Sequence, residues 1–80
     1  MTNDQIDNVF RYHAPHGDQA YRYEQIRGEA RKFAKLLGMY TPDSREKTQA
    51  LYKLQECVMF ANAAIAINEQ PPAEPPVAID

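Results

Sequence analysis

The side chains best suited to chemistry lie between Asn8 and Arg27, in the stretch "NVFRYHAPHGDQAYRYEQIR". It holds both histidines, three of the five tyrosines, and arginines at 11, 22 and 27. His13 and His16 make an H-x-x-H pair, but a zinc site needs three or four ligands with an ordered outer shell. There is no further histidine, and the single cysteine, Cys57, falls in an apolar segment far along the chain. No metal site is expected. No nucleophile, base and orienting group form a recognisable set, and three glycines in all leave no glycine-rich phosphate loop. The sequence reads as one that binds without catalysis and without a cofactor.

What remains is aromatic and cationic. Arg27, Arg31 and Lys35 follow a strict four-residue spacing, which sets them in one row on a helix surface. Glu24 and Glu29 can neutralise only part of that row. Such a row is ordinarily a solvated face. Its other use is to hold phosphates while an aromatic ring stacks on a base, the way proteins grip unpaired nucleotides. Tyr12 precedes a proline-stiffened turn and is placed either for such stacking or for packing as a staple over the helices.

Charge narrows the ligand. The chain carries a net charge of −2, yet residues 1–68 hold nine basic and eight acidic side chains, a net of +1. Near neutrality argues against long nucleic acid, whose binding rests on many phosphate contacts. A small anion needs only a local basic cluster. The N-terminal "MTNDQIDNVF" has neither the basic nor the apolar region of a signal peptide. One unpaired cysteine fits a reducing cytosol. The longest apolar run, "CVMFANAAIAI", is too short to span a bilayer, so no membrane partner is expected.

These groups must be positioned by helices, since no strand-like alternation occurs. The expected architecture is all-α: a short N-terminal helix followed by a long antiparallel helical hairpin over residues 1–68, and a disordered, proline-rich tail over residues 69–80. Ile6, Val9 and Phe10 fall at helical spacing, with Thr2 or Asn3 as the cap. Pro15 disfavours helix at Ala14, and "HGD" turns the chain into a second helix from about Asp18 to Tyr40. Tyr23, Ile26, Ala30, Phe33, Leu37 and Tyr40 form a heptad-like stripe. "TPDSREK" predicts the third helix, with Thr41 as cap and Pro42 at its first position. Leu51, Leu54, Val58, Ala61 and Ile65 repeat the stripe, and the short connection implies a hairpin.

From Cys57 to Ile67 only Asn62 is polar. A helix apolar all round is buried on more than one side. One partner helix and a short N-terminal segment cannot cover it, so a homo-oligomer is expected with this helix near its centre. Asn62 then needs a hydrogen-bond partner. It either fixes the register between helices or contacts a buried ligand.

The motifs "FRYHAP", "RYEQIR", "TPDSREKTQAL" and "VMFANAAIAINE", in this order and spacing, resemble the small phage anti-CBASS nucleotide sponges. Their helical hairpin is shared with sponges acting against the Thoeris defence. The resemblance covers roughly residues 1–69. It implies a compact helical oligomer, typically a hexamer, in the cytoplasm of the infected bacterial host. It implies that cyclic dinucleotides are sequestered without cleavage, so that the bacterial effector is not activated. Tyr12 matches the family tyrosine that stacks on a base, and Arg27 falls where a basic residue, often lysine, contacts phosphate. Arg31 and Asn62 complete the candidate ligand-binding set. Where the family commonly reads "ANAAIAR", with an arginine used for cyclic trinucleotides, this chain has Ile67, so the resemblance does not carry trinucleotide binding over. Two other classes compete: a phage protein–protein interaction module that docks through the hairpin, and a small nucleic-acid binder using the basic row.

Overall fold

The computed structural model describes residues 1–69. Three helices follow one another: α1 (Asn3–Val9), α2 (Gln19–Tyr40) and α3 (Arg45–Asn68). The long pair are in contact and form the expected hairpin, with α1 at its open end. The tail expected from residue 69 onward lies, from residue 70, outside the described residues.

Local chemistry sets each boundary. The Thr2 hydroxyl accepts the Gln5 N–H at 3.1 Å, and the Gln5 side chain accepts the Thr2 N–H at 2.7 Å. This reciprocal box satisfies two donors that the first turn of α1 would otherwise leave open. Gly17 turns the chain into α2 with a φ of 56°, a left-handed conformation that side chains resist. Asp18 precedes α2 without capping it, and its carboxylate instead meets Arg22 at 3.1 Å.

The start of α3 differs from the expectation. Thr41 closes α2 instead: its backbone N–H and its hydroxyl both donate to the Leu37 carbonyl, at 3.1 and 2.5 Å. The cap of α3 is Ser44, whose hydroxyl accepts the Lys47 N–H at 3.1 Å. Two cap residues within four positions compete, and the first is taken by the outgoing helix. Lys47 then reaches back, its ammonium donating to the Gly38 carbonyl at 2.9 Å and pairing with Asp43 at 3.0 Å. A cation on a helix C-terminal carbonyl is favoured by the helix dipole, so this contact pins the closed end. Ser44→Ala should cost about 1 kcal/mol of unfolding free energy, measured by urea denaturation at fixed protein concentration.

The packing is asymmetric. All five stripe residues of α3, Leu51, Leu54, Val58, Ala61 and Ile65, are half-buried. On α2 the half-buried line runs Tyr23, Ile26, Ala30, Ala34 and Leu37; of the expected stripe, Phe33 is 50% exposed, with Ala34 in its place, and Tyr40 is 76% exposed. A helix of 3.6 residues per turn drifts by about 20° per heptad against a strict 3.5-residue stripe, so stripe positions move off the contact along α2. Among the described residues no apolar side chain is buried at all; the one buried residue is Gln19, at 3% exposure. Phe10, Met39, Met59 and Phe60 are all largely exposed. Among the described residues no helix is long and apolar enough to cross a membrane.

Candidate functional site

A two-helix layer has two faces, and each carries an apolar groove. On one face Arg27 and Arg31 edge a groove of ≈ 430 Å³ floored by Ala30, Ala34, Leu51, Leu54, Val58 and Met59, with Gln55 beside it. On the other face Ala30, Leu54 and Val58 serve a second groove of ≈ 480 Å³, edged by Gln25 and Glu29. Both grooves fall within the roughly 300–1,000 Å³ of small-molecule sites, and Arg27 and Arg31 alone set the first apart, as cations beside an apolar floor.

Arg27 and Arg31 are thus brought together, as their spacing required. The Arg27 guanidinium pairs with Glu24, one helical turn away, and both groups are mostly exposed. Such a surface pair contributes about 0–1 kcal/mol and does not bar an incoming phosphate. Glu29 pairs with Lys32 at 3.2 Å rather than with the row. Arg31 has no ion-pair partner among the described residues.

Tyr12 and Asn62 are not among the residues lining the cationic groove. Tyr12 sits in the loop between α1 and α2, with 84% of its surface exposed. This removes the staple alternative within one chain. Asn62 follows Val58 and Met59 at helical spacing, so it shares their side of α3 one turn nearer the open end. Its Oδ1 is enclosed yet accepts no hydrogen bond from the described residues. Leaving a buried acceptor unmade costs on the order of 1–3 kcal/mol.

The histidines do something the sequence did not reveal. At the open end a polar clasp gathers the last turn of α3. Asn8 of α1 donates to the Ile67 carbonyl at 3.1 Å. His13 Nε2 donates to the Asn8 carbonyl at 2.6 Å, and His16 Nε2 to the Glu69 carbonyl at 2.8 Å. A carbonyl only accepts, so both rings carry their proton at Nε2. Gln19 accepts the His16 N–H at 3.1 Å and donates to the Glu69 carbonyl at 3.3 Å. The Arg22 guanidinium grips both Glu69 carboxylate oxygens in a forked pair, with Nη1 to Oε2 at 2.8 Å. One sequence signal pointed here: Gln19 stands three residues after His16, as Gln5 stands after Thr2. Among the described residues no cluster of histidine, cysteine, aspartate and glutamate could hold a metal ion.

The clasp leaves an electrostatic trace. The hydrogen bond from Arg22, with help from that of Gln19 and against a desolvation penalty, holds the Glu69 carboxyl at about 2 instead of 4.5. Glu69 in turn raises the affinity of the Arg22 guanidinium for its proton. A carboxyl depressed in the folded state stabilises above its unfolded value and loses that contribution as pH falls through its folded value. The stability difference between the wild type and Glu69→Gln, measured by urea unfolding, should therefore hold above pH 4.5 and vanish towards pH 2.

Residues 2–66 match the Acb2/Tad1 hairpin domain. No curated protein and no solved structure matches the chain. The match spans α1, α2 and nearly all of α3, and so includes the loop with Tyr12 and the cationic groove. The chain belongs to the Acb2/Tad1 hairpin-domain family of anti-CBASS and anti-Thoeris sponges, phage proteins that capture nucleotide signals without catalysis.

Proposed function

We propose that this protein sequesters cyclic dinucleotide second messengers, cyclic GMP–AMP (cGAMP) among them, in the cytoplasm of the infected bacterial host, and so keeps the defence effector inactive. The observation that carries the reading is the pairing of Arg27 and Arg31 over an apolar groove of small-molecule size. The cations meet phosphate, and the apolar floor accepts the flat faces of bases. A cyclic dinucleotide presents two bases and two phosphates about an approximate two-fold axis. Two copies of the hairpin related by a two-fold axis offer each residue twice. Tyr12 of each copy stacks on one base, Arg27 of each meets one phosphate, and Arg31 stands behind it. Asn62 Oδ1, unpartnered among the described residues, accepts from the ligand or from the second copy.

Assembly belongs to the same proposal. A chain that buries no apolar side chain among its described residues has the surface of an incomplete core. Both faces of the hairpin carry an apolar groove that a second copy can cover. We take the assembly to be a homo-oligomer, a hexamer by family resemblance. Cyclic trinucleotides are not part of the proposal, because Ile67 stands where the family commonly uses arginine.

Calorimetry against a panel of cyclic dinucleotides tests the reading. Saturable binding at one ligand per two chains supports it. Failure to bind any member of the panel, by a protein shown to be folded and assembled, refutes it.

A further inference from the structure

We infer that the clasp of Arg22, Gln19 and Glu69 is a positioning device for Tyr12, setting ligand affinity without touching ligand. The inference rests on the reading of Tyr12 as the stacking residue.

Tyr12 lies in an irregular segment, residues 10–18, with its ring in solvent. A ring so exposed has no packing of its own to hold it. What fixes the backbone beneath it is a set of polar tethers to α3. His13, the next residue, is bonded to the Asn8 carbonyl, and Asn8 to the Ile67 carbonyl. Three residues further on, His16 is bonded through its ring to the Glu69 carbonyl and through its N–H to Gln19. The Tyr12 segment is thereby tied to the end of α3 on both sides, through Asn8 to Ile67 before it and through His16 to Glu69 after it.

Glu69 is where these tethers converge. Its backbone carbonyl takes His16 and Gln19, while its carboxylate takes both prongs of Arg22. Arg22 is itself steadied by Asp18 at 3.1 Å. The residue that ends α3 is therefore locked to the first turns of α2, and the loop hangs from that lock. Gln19, the one buried residue described, has its amide oxygen and nitrogen both engaged there. Stacking repays only what remains after the aromatic has been ordered. A loop ordered beforehand keeps more of the stacking energy as affinity.

The test uses the full chain with cyclic GMP–AMP as probe. Glu69→Gln keeps the carbonyl and removes the ion pair; Arg22→Gln removes it from the other side. Each should weaken binding by about tenfold, the cost of fixing roughly one residue's backbone anew. The double variant should be no worse than either single one, because both break the same contact. Heteronuclear NOE values of the Tyr12 and His13 amides should fall in each variant, while that of Ala34 in α2 and the oligomer size stay as in the wild type. Should Glu69→Gln fail to assemble, Arg22→Lys, which keeps the charge and loses the fork, is judged by the same criteria. The inference is overturned if Tyr12→Ala loses binding while Glu69→Gln and Arg22→Gln keep full affinity. It is also overturned if affinity falls with the Tyr12 amide unchanged, since that marks direct contact. If Tyr12→Ala binds as the wild type does, the stacking reading fails first and this one with it.

Discussion

Tyr12→Ala and Arg27→Ala should each weaken cyclic GMP–AMP binding by at least about a hundredfold, with the oligomer intact. Each substitution appears twice in a two-fold site. Loss of one base stack costs about 1–3 kcal/mol, so two stacks lose about 2–6 kcal/mol, against 1.4 kcal/mol per tenfold. Arg27 reaches a comparable figure by another route. A phosphate enclosed without its cation loses solvation that nothing replaces. Arg27→Lys should recover part of the loss, since it restores the charge but not the planar fork. Arg31→Ala should cost less than Arg27→Ala, because it stands one turn further from the loop end. Tyr12 is exposed and Arg27 makes only a surface pair with Glu24, so neither change removes a contact the hairpin depends on. Calorimetry with light scattering on the same samples separates lost binding from lost assembly. Unchanged affinity in both variants returns the basic row to a solvated face.

A second large effect is expected at the apolar half of α3. Val58 lies half-buried between the helices and floors both grooves. Val58→Asp sets an unpaired charge there at roughly 3–5 kcal/mol, a large share of the ~5–15 kcal/mol that holds a domain together. Ile65→Asp should act the same way nearer the open end. Both variants should dissociate or unfold. Phe60 distinguishes the two outcomes, because 73% of it is exposed in the single chain. If a second copy covers Phe60, Phe60→Asp should leave helix content in place by circular dichroism and shift light scattering to the 9.2 kDa chain. A wild-type protein that scatters as a monomer at the same concentration would sink the assembly part of the proposal.

How far the sequence foretold this structure depends on the range of the interaction. Periodicity is local, and it placed α1, α2 and α3 and the contact stripe of α3 correctly. Capping is also local, but Thr41 and Ser44 lie three residues apart and are both good caps. Thr41 is engaged by the Leu37 carbonyl of α2, which leaves Ser44 to cap α3. The α2 stripe follows a coiled-coil period, and the ordinary helical period puts Ala34 in the contact in place of Phe33 and leaves Tyr40 outside it. The tethers of the clasp to the end of α3 were not legible, because they join residues 47 to 59 positions apart. Asn8, His16, Gln19 and Arg22 look like surface residues until the hairpin folds back and puts the end of α3 beside them. For the site, the four-residue row foretold that Arg27 and Arg31 would share an edge. It could not foretell that an apolar groove would lie beside them, or that the Asn62 oxygen would be enclosed without a partner.

The central claim is capture without cleavage, and a release experiment tests it most directly. The assembled protein is loaded with cyclic GMP–AMP, freed of unbound nucleotide, held for increasing times and heat-denatured. The supernatant is then chromatographed and offered to a nucleotide-activated effector. The account predicts intact cyclic dinucleotide in constant yield at every time point, and an effector silent before heating and active after it. A linear product that grows with time, or a protein that retains no nucleotide through the first separation, would contradict it.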